Sequence, residues 1–225
     1  MKVRWKYYNL DLNPAKTISY DQSKGMEINK FDLNVHDINR VADLIVNAQI
    51  GGDCTDWRRS HRMVMDLIKA GNNFLGHENI YISSSGEYIT GLTIGYRGRG
   101  KDEFRTLIRL LFSLRLSEFV SYLSFTANMI HGGFTPDVDN DEYYISVLAV
   151  DERFRRKGIG SFLLRHTIMT AKDENCRSVV LDVDSGNEPA VRLYRKFGFN
   201  LSARNAPGGT RHPDGLIITM ELTLT

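Results

Sequence analysis

The chain has 225 residues, of which 42% are hydrophobic and 25% charged, and its formal net charge is +2. This predicts one globular domain, or one domain with an insertion, large enough to bury a core. A balance so near neutral supplies no global field for nucleic acid or for a membrane surface, and neither is expected as a partner.

The two cysteines, Cys54 and Cys176, suit a reducing compartment better than a disulfide framework. Met1–Asn9 is basic, but no apolar h-region follows it, so no signal peptide is expected. Arg109, Arg115 and Glu118 interrupt the apolar stretch Thr106–Ile130, and no run long enough to cross a bilayer is found. A cytoplasmic protein is the expectation.

Residues 1–25 are polar and aromatic without clear periodicity and read as an N-terminal arm or an extra edge strand, with the domain proper over 26–225. Met26–Leu33 reads as a first strand. Val35, Ile38, Val41, Ile45 and Ala48 mark one face of a helix that Gly51-Gly52 stops. Trp57, Met63, Met65, Leu67 and Ile68 predict a second helix ending near Gly71-Asn72-Asn73. Ile80–Ser83 and Tyr88–Gly98 read as strands of a hairpin joined at Ser84-Ser85-Gly86. Two helices are expected over about 102–130, followed by a loop over 131–140.

An apolar strand then ends in a basic, glycine-bearing turn, Tyr143-Tyr-Ile-Ser-Val-Leu-Ala-Val-Asp-Glu-Arg-Phe-Arg-Arg-Lys-Gly-Ile-Gly160. A helix over Ser161–Lys172 follows, with Phe162, Leu164, Ile168 and Met169 expected to face inward. Ser178–Val183 reads as a buried strand. Leu201–Ala203 and Leu216–Leu222 read as an antiparallel pair joined by a polar loop over Asn205–Gly215.

The turn is where the chemistry begins. A helix N-terminus exposes unpaired N–H groups and a partial positive charge, which seats a phosphate. Gly158 and Gly160 allow close backbone approach, and Arg155, Arg156 and Lys157 add charged donors. The pattern is not a P-loop, for no Gly-x-x-x-x-Gly-Lys-Ser/Thr occurs here, and a dinucleotide fingerprint would need glycine where Leu163 stands.

Arg155-x-x-Gly158-x-Gly160 resembles the Gln/Arg-x-x-Gly-x-Gly/Ala signature of the GNAT superfamily of acyl-CoA N-acyltransferases. Asn187-Glu-Pro-Ala190-Val-Arg-Leu193-Tyr194-Arg-Lys-Phe197-Gly198-Phe199 is similar to that family's Asn-x-x-Ala-x-x-Leu-Tyr-x-x-x-Gly-Phe segment. The likeness is detailed over 142–204 and only a compatible pattern over 26–98. It implies an α/β (α+β) fold with a central mixed, mostly antiparallel sheet flanked by helices. The pair of helices at 102–130 is then an insertion between strands three and four, read either as a packing or dimer element or as a lid over the acceptor.

The resemblance also implies acetyl-CoA as cosubstrate, with no metal. The pyrophosphate would rest on Arg155, Arg156, Lys157, Gly158, Ile159, Gly160 and Ser161. The pantetheine arm would add as a strand beside Leu148, Ala149 and Val150. Asn187 would cap its helix or bond the pantetheine amides.

Tyr194 is the candidate general acid for the leaving thiolate, and its helical spacing puts it on one face with Asn187 and Ala190. Glu142 is the candidate general base, with Asp141, Tyr144 and Glu103 as alternatives. None of the six histidines has metal-ligand spacing, and His166 reads as a surface residue.

The function expected is N-acetyl transfer from acetyl-CoA to a primary amine of a small molecule or peptide, by direct attack in a ternary complex. A non-catalytic acyl-CoA-binding module, or an enzyme using another acyl donor, is the alternative.

Overall fold

The computed structural model describes residues 25–49, 57–86, 88–98, 138–204, 210–212 and 215–225. Along the chain these form β1 (Met26–Lys30), α1 (Ile38–Gln49), α2 (Trp57–Ala70), β2 (Ile80–Ser85), β3 (Tyr88–Arg97) and β4 (Glu142–Val150). There follow α3 (Ile159–Asp173), β5 (Ser178–Asp184), α4 (Glu188–Lys196), β6 (Asn200–Leu201), β7 (Thr210–His212) and β8 (Gly215–Thr223). The expected N-terminal arm, the helices over 102–130, the alternative base Glu103 and Cys54 lie outside the described residues.

The strands make one sheet in the order β1-β2-β3-β4-β5-β8-β6, with β7 also paired to β8. Among these pairings β4–β5 is parallel and every other is antiparallel. The mixed, mostly antiparallel sheet flanked by helices is therefore as expected.

Two apolar layers hold the helices to it. Val41, Ala42, Leu44, Ile45 and Val46 of α1 and Val64, Leu67 and Ile68 of α2 pack with Leu92, Ile94, Val147 and Ala149. Leu164, Ile168 and Ala171 of α3 and Val191 and Tyr194 of α4 pack with Ile145, Val179, Leu181 and Met220. Each fully buried aliphatic side chain contributes about 1.5–3 kcal/mol against exposure.

Local signals set the helix ends. The Asp37 carboxylate accepts from the Asn39 N–H at 2.9 Å, where α1 begins. Gly71, at φ 64°, closes α2 in the left-handed conformation that L side chains resist.

Three details differ from expectation. α3 starts at Ile159, two residues early, and buries Leu163 and Thr167 along with the predicted Leu164 and Ile168. His166 packs against Tyr81 in a tilted ring pair with centroids 4.5 Å apart, and burial pushes its pKa down to about 4, so it is no plain surface residue. The segment read as a loop contains β7, whose His212 pairs with Gly215.

Candidate active site

The parallel β4–β5 ladder runs for four pairs, Glu142↔Ser178 to Ile145↔Leu181. Both strands then continue, but apart. β4 stays paired to β3 out to Val150↔Gly91, and β5 to β8 out to Asp184↔Ile217. The β5-facing main chain of 146–150 is thus left without a strand partner. A bulge between Ile94 and Gly95 of β3 marks the same level, and Ser146 of β4 is skipped in the register. Its hydroxyl donates instead to the Phe74 carbonyl at 3.1 Å. A wedge with strand edges on both walls can take an extended chain by main-chain hydrogen bonding.

The basic turn closes one end of the wedge. Gly158 caps α3 at φ 85°, and Arg156, two residues before it, sits at φ 62°. A non-glycine residue in that region costs about 1–2 kcal/mol, so the surroundings must hold the turn in place. Phe162 N–H donates to the Gly158 carbonyl at 2.9 Å, beginning the helical ladder. The N–H groups of Ile159, Gly160 and Ser161 precede that first bond and have no intrahelical acceptor.

A methyl at Gly158 would meet no atom within 4 Å, so the space over the turn is open. One at Gly160 would come 3.4 Å from Leu193 and 3.7 Å from Val150. Gly160 therefore lies where the turn, the end of β4 and α4 converge. Arg155 Nε points back to the Val150 carbonyl at 3.4 Å. Free N–H groups, a helix dipole and flanking cations at an open surface fit a pyrophosphate.

Tyr194 and Asp182 lie on opposite faces of the sheet beside the wedge. Tyr194 packs in the same apolar layer as Ile145 and Leu181, the last rung of the ladder, and is 7% exposed. Burial pushes its phenol up to about 12, so it stays protonated through neutral pH. Asn187 accepts from the Ala190 N–H at 3.3 Å and caps α4. Of the two roles open to it, capping is the one seen.

Asp182 is the first β5 residue past the ladder. It accepts from Tyr144 Oη at 3.0 Å and from Thr219 Oγ1 at 2.7 Å. Burial raises its pKa, and these two hydrogen bonds offset part of the rise. The Tyr144 phenol is pushed well above its usual range, by burial first and then by the Asp182 carboxylate, with the Tyr194 phenol adding to it. Asp182 and Tyr144 are thus directly linked by a hydrogen bond.

Glu142 is a different case. Its side chain is 0% exposed, at the closed end of the β4–β5 pair. Arg204 Nη1 donates to it at 2.7 Å and Arg204 Nη2 makes a second bond. Arg177 at 2.9 Å, Ser178 Oγ at 3.1 Å and the Asp139 N–H at 2.9 Å complete the shell. Burial alone pushes its pKa up. The Arg204 guanidinium, the Asp139 N–H and Arg177 outweigh burial and hold it at about 2. Two guanidiniums, a hydroxyl and a backbone N–H thus engage this carboxylate at once.

Asp141 is engaged with Arg177 at 3.2 Å. Tyr144, the other described alternative for the base, is a donor to Asp182. Asp182 was hidden inside the run Ser178–Val183. The signal that could have found it is the single carboxylate in a strand otherwise read as core, which is costly unless it has a purpose. Cys176 is buried, and burial raises its thiol pKa, which argues against a nucleophile.

Comparison with known proteins bears on the family and the fold. Residues 106–199 match the acetyltransferase (GNAT) family. The chain is 43% identical over 56 residues to N-alpha-acetyltransferase 30 of Xenopus laevis, covering 25% of this chain and 20% of that protein. It is 32% identical over 87 residues to the ribosomal protein bS18-alanine N-acetyltransferase of Salmonella typhimurium, covering 37% of this chain and 59% of that one. The matched parts are thus well short of either relative's full length. Among solved structures, an N-acetyltransferase from Staphylococcus aureus Mu50 superposes with a TM-score of 0.63 at 18% identity, over 87% of this chain and 99% of that one.

Proposed function

We propose, for a chain that belongs to the GNAT superfamily of N-acetyltransferases, that it acetylates a primary amine held beside Asp182, by direct attack in a ternary complex. The observation that carries this is the parting of β4 from β5 past Ile145↔Leu181, with the Gly158 turn at its end and Asp182 and Tyr194 on its two sides. Acetyl-CoA supplies the thioester, whose carbon–sulfur bond breaks as the amine nitrogen bonds to the acetyl carbon.

The chain's own residues do the rest. The N–H groups of Ile159, Gly160 and Ser161, with Arg155, Arg156 and Lys157, seat the pyrophosphate. The open edge at Leu148, Ala149 and Val150 pairs with the pantetheine amides. Tyr194 gives its proton to the departing thiolate. Burial that lifts the phenol also lifts the pKa of a thiol in the same cleft, so the two remain close enough for transfer.

Asp182 takes over the base role first assigned to Glu142. Glu142 and Asp151, the two buried carboxylates among the described residues, are each engaged by two guanidiniums, whereas the hydrogen bonds to the half-buried Asp182 come from hydroxyls. A half-buried carboxylate with neutral donors attracts an ammonium and accepts the proton it sheds. An α-amine, with an ordinary pKa of about 7.7–8.0 against about 10.4 for lysine, gives up that proton more readily. Two relatives are named an N-alpha-acetyltransferase and a ribosomal protein bS18-alanine N-acetyltransferase, which supports a peptide N-terminus as the acceptor class.

Asp182→Asn tests the base. Turnover with a peptide acceptor is expected to fall about 10²–10⁴-fold. The acidic limb of the wild-type pH profile is expected above the ordinary carboxylate value of 3.8, because burial raises Asp182, and to disappear in the variant. A variant that keeps both rate and limb would remove Asp182 from the mechanism.

A further inference from the structure

Asp151 follows β4 directly, is 5% exposed, and is not used in the mechanism above. Its carboxylate gathers donors from three parts of the chain. Arg40 of α1 pairs with it, as does Arg153 Nη2 at 2.8 Å. Tyr88 Oη of β3 donates at 3.1 Å and the Arg153 N–H at 2.9 Å. The Arg40 and Arg153 guanidiniums each lie 5.0 Å from the centre of the Tyr88 ring. Phe154 stacks on that ring at 5.4 Å, and Lys157 Nζ lies 4.8 Å from the centre of Phe154. The series ends one residue from Gly158.

We propose that Asp151 is a positioning residue for donor binding. With Arg40 and Tyr88 it fixes the short 3-10 turn Glu152–Phe154 against α1 and β3, and so sets where the amides after Gly158 point. The reasoning is mechanical. Arg156 and Gly158 both hold left-handed backbone, which a free turn would relax. Aromatic stacking, three cation–π contacts and two ion pairs to the buried Asp151 over-determine the segment just before them. A displacement of about 1 Å in a binding constellation is enough to cost much of its efficiency. This inference rests on the reading of the turn as the pyrophosphate seat.

The test compares two donors, acetyl-CoA and S-acetylpantetheine, which has the thioester arm but no pyrophosphate. Asp151→Asn is expected to raise the Kd for CoA and the KM for acetyl-CoA about tenfold, with kcat within about twofold. Tyr88→Phe keeps the ring, loses the bond to Asp151, and is expected to show the same pattern at about threefold. Both should turn over S-acetylpantetheine at the wild-type kcat/KM. Parallel losses on both donors would show a merely structural role, and wild-type CoA affinity in the folded variants would end the proposal. Should Asp151→Asn fail to fold, Tyr88→Phe decides alone. Failure of the wild-type chain to bind CoA would overturn the pyrophosphate reading as well. Wild-type binding that the variants leave unmoved overturns only this inference.

Discussion

Tyr194→Phe is expected to lower kcat for acetyl transfer by about 10²–10⁴-fold and to leave the Kd for acetyl-CoA nearly unchanged. The substitution removes one oxygen and keeps the ring that packs with Phe199 at 5.8 Å and with the Ile145–Leu181 rung. Stability should therefore move by less than about 1 kcal/mol, so the loss of rate cannot be assigned to unfolding. Without the phenol the thiolate must leave unprotonated or find water. A chain that only binds acyl-CoA would have no amine-dependent turnover to lose, so the same variant separates an enzyme from a binding module. Unchanged kcat in the presence of amine-dependent wild-type turnover would remove Tyr194 as the acid.

Glu142→Gln should act on stability. The wild-type carboxylate is held at about 2 against an ordinary 4.5, since the Arg204 and Arg177 guanidiniums and the Asp139 N–H more than offset burial. Its folded pKa is lower than its unfolded one. The stabilisation is then complete above the unfolded value and is lost as pH falls from about 5 towards 2.

The shift corresponds to about 3 kcal/mol, and for a chain of this size that lowers Tm by roughly 6–12 °C. The neutral variant should lose this margin at pH 7 and show a flatter stability profile between pH 5 and 2. Its kcat per folded molecule should remain within several-fold of wild type. A collapse of kcat with stability intact would restore Glu142 as the base.

The parts of the site made from contiguous residues were legible in the sequence. An apolar run into Arg155-x-x-Gly158-x-Gly160 must become a strand, a turn and a helix N-terminus, because periodicity and glycine placement are local properties. The place of Tyr194 on α4 was legible for the same reason, being set by the Asn187 cap at one end and Gly198 beyond the other. The roles of carboxylates were not. Glu142 is engaged by Arg177 and Arg204, which are 35 and 62 residues away along the chain. Asp151 is engaged by Arg40, 111 residues away. Asp182 gains its setting from Tyr144 and Thr219, each more than 35 residues distant. Whether a carboxylate is a base or a strut depends on which cations reach it, and spacing along one strand does not contain that information.

The measurement closest to the central claim is thiol release from acetyl-CoA by the purified chain, read against a no-acceptor background with peptides of free N-terminus, the same peptides blocked, lysine, polyamines and aminoglycosides. The account predicts release that requires an unblocked peptide N-terminus and is lost in both Tyr194→Phe and Asp182→Asn. Bound acetyl-CoA with no amine-dependent release from any acceptor, or release untouched by both variants, would contradict it.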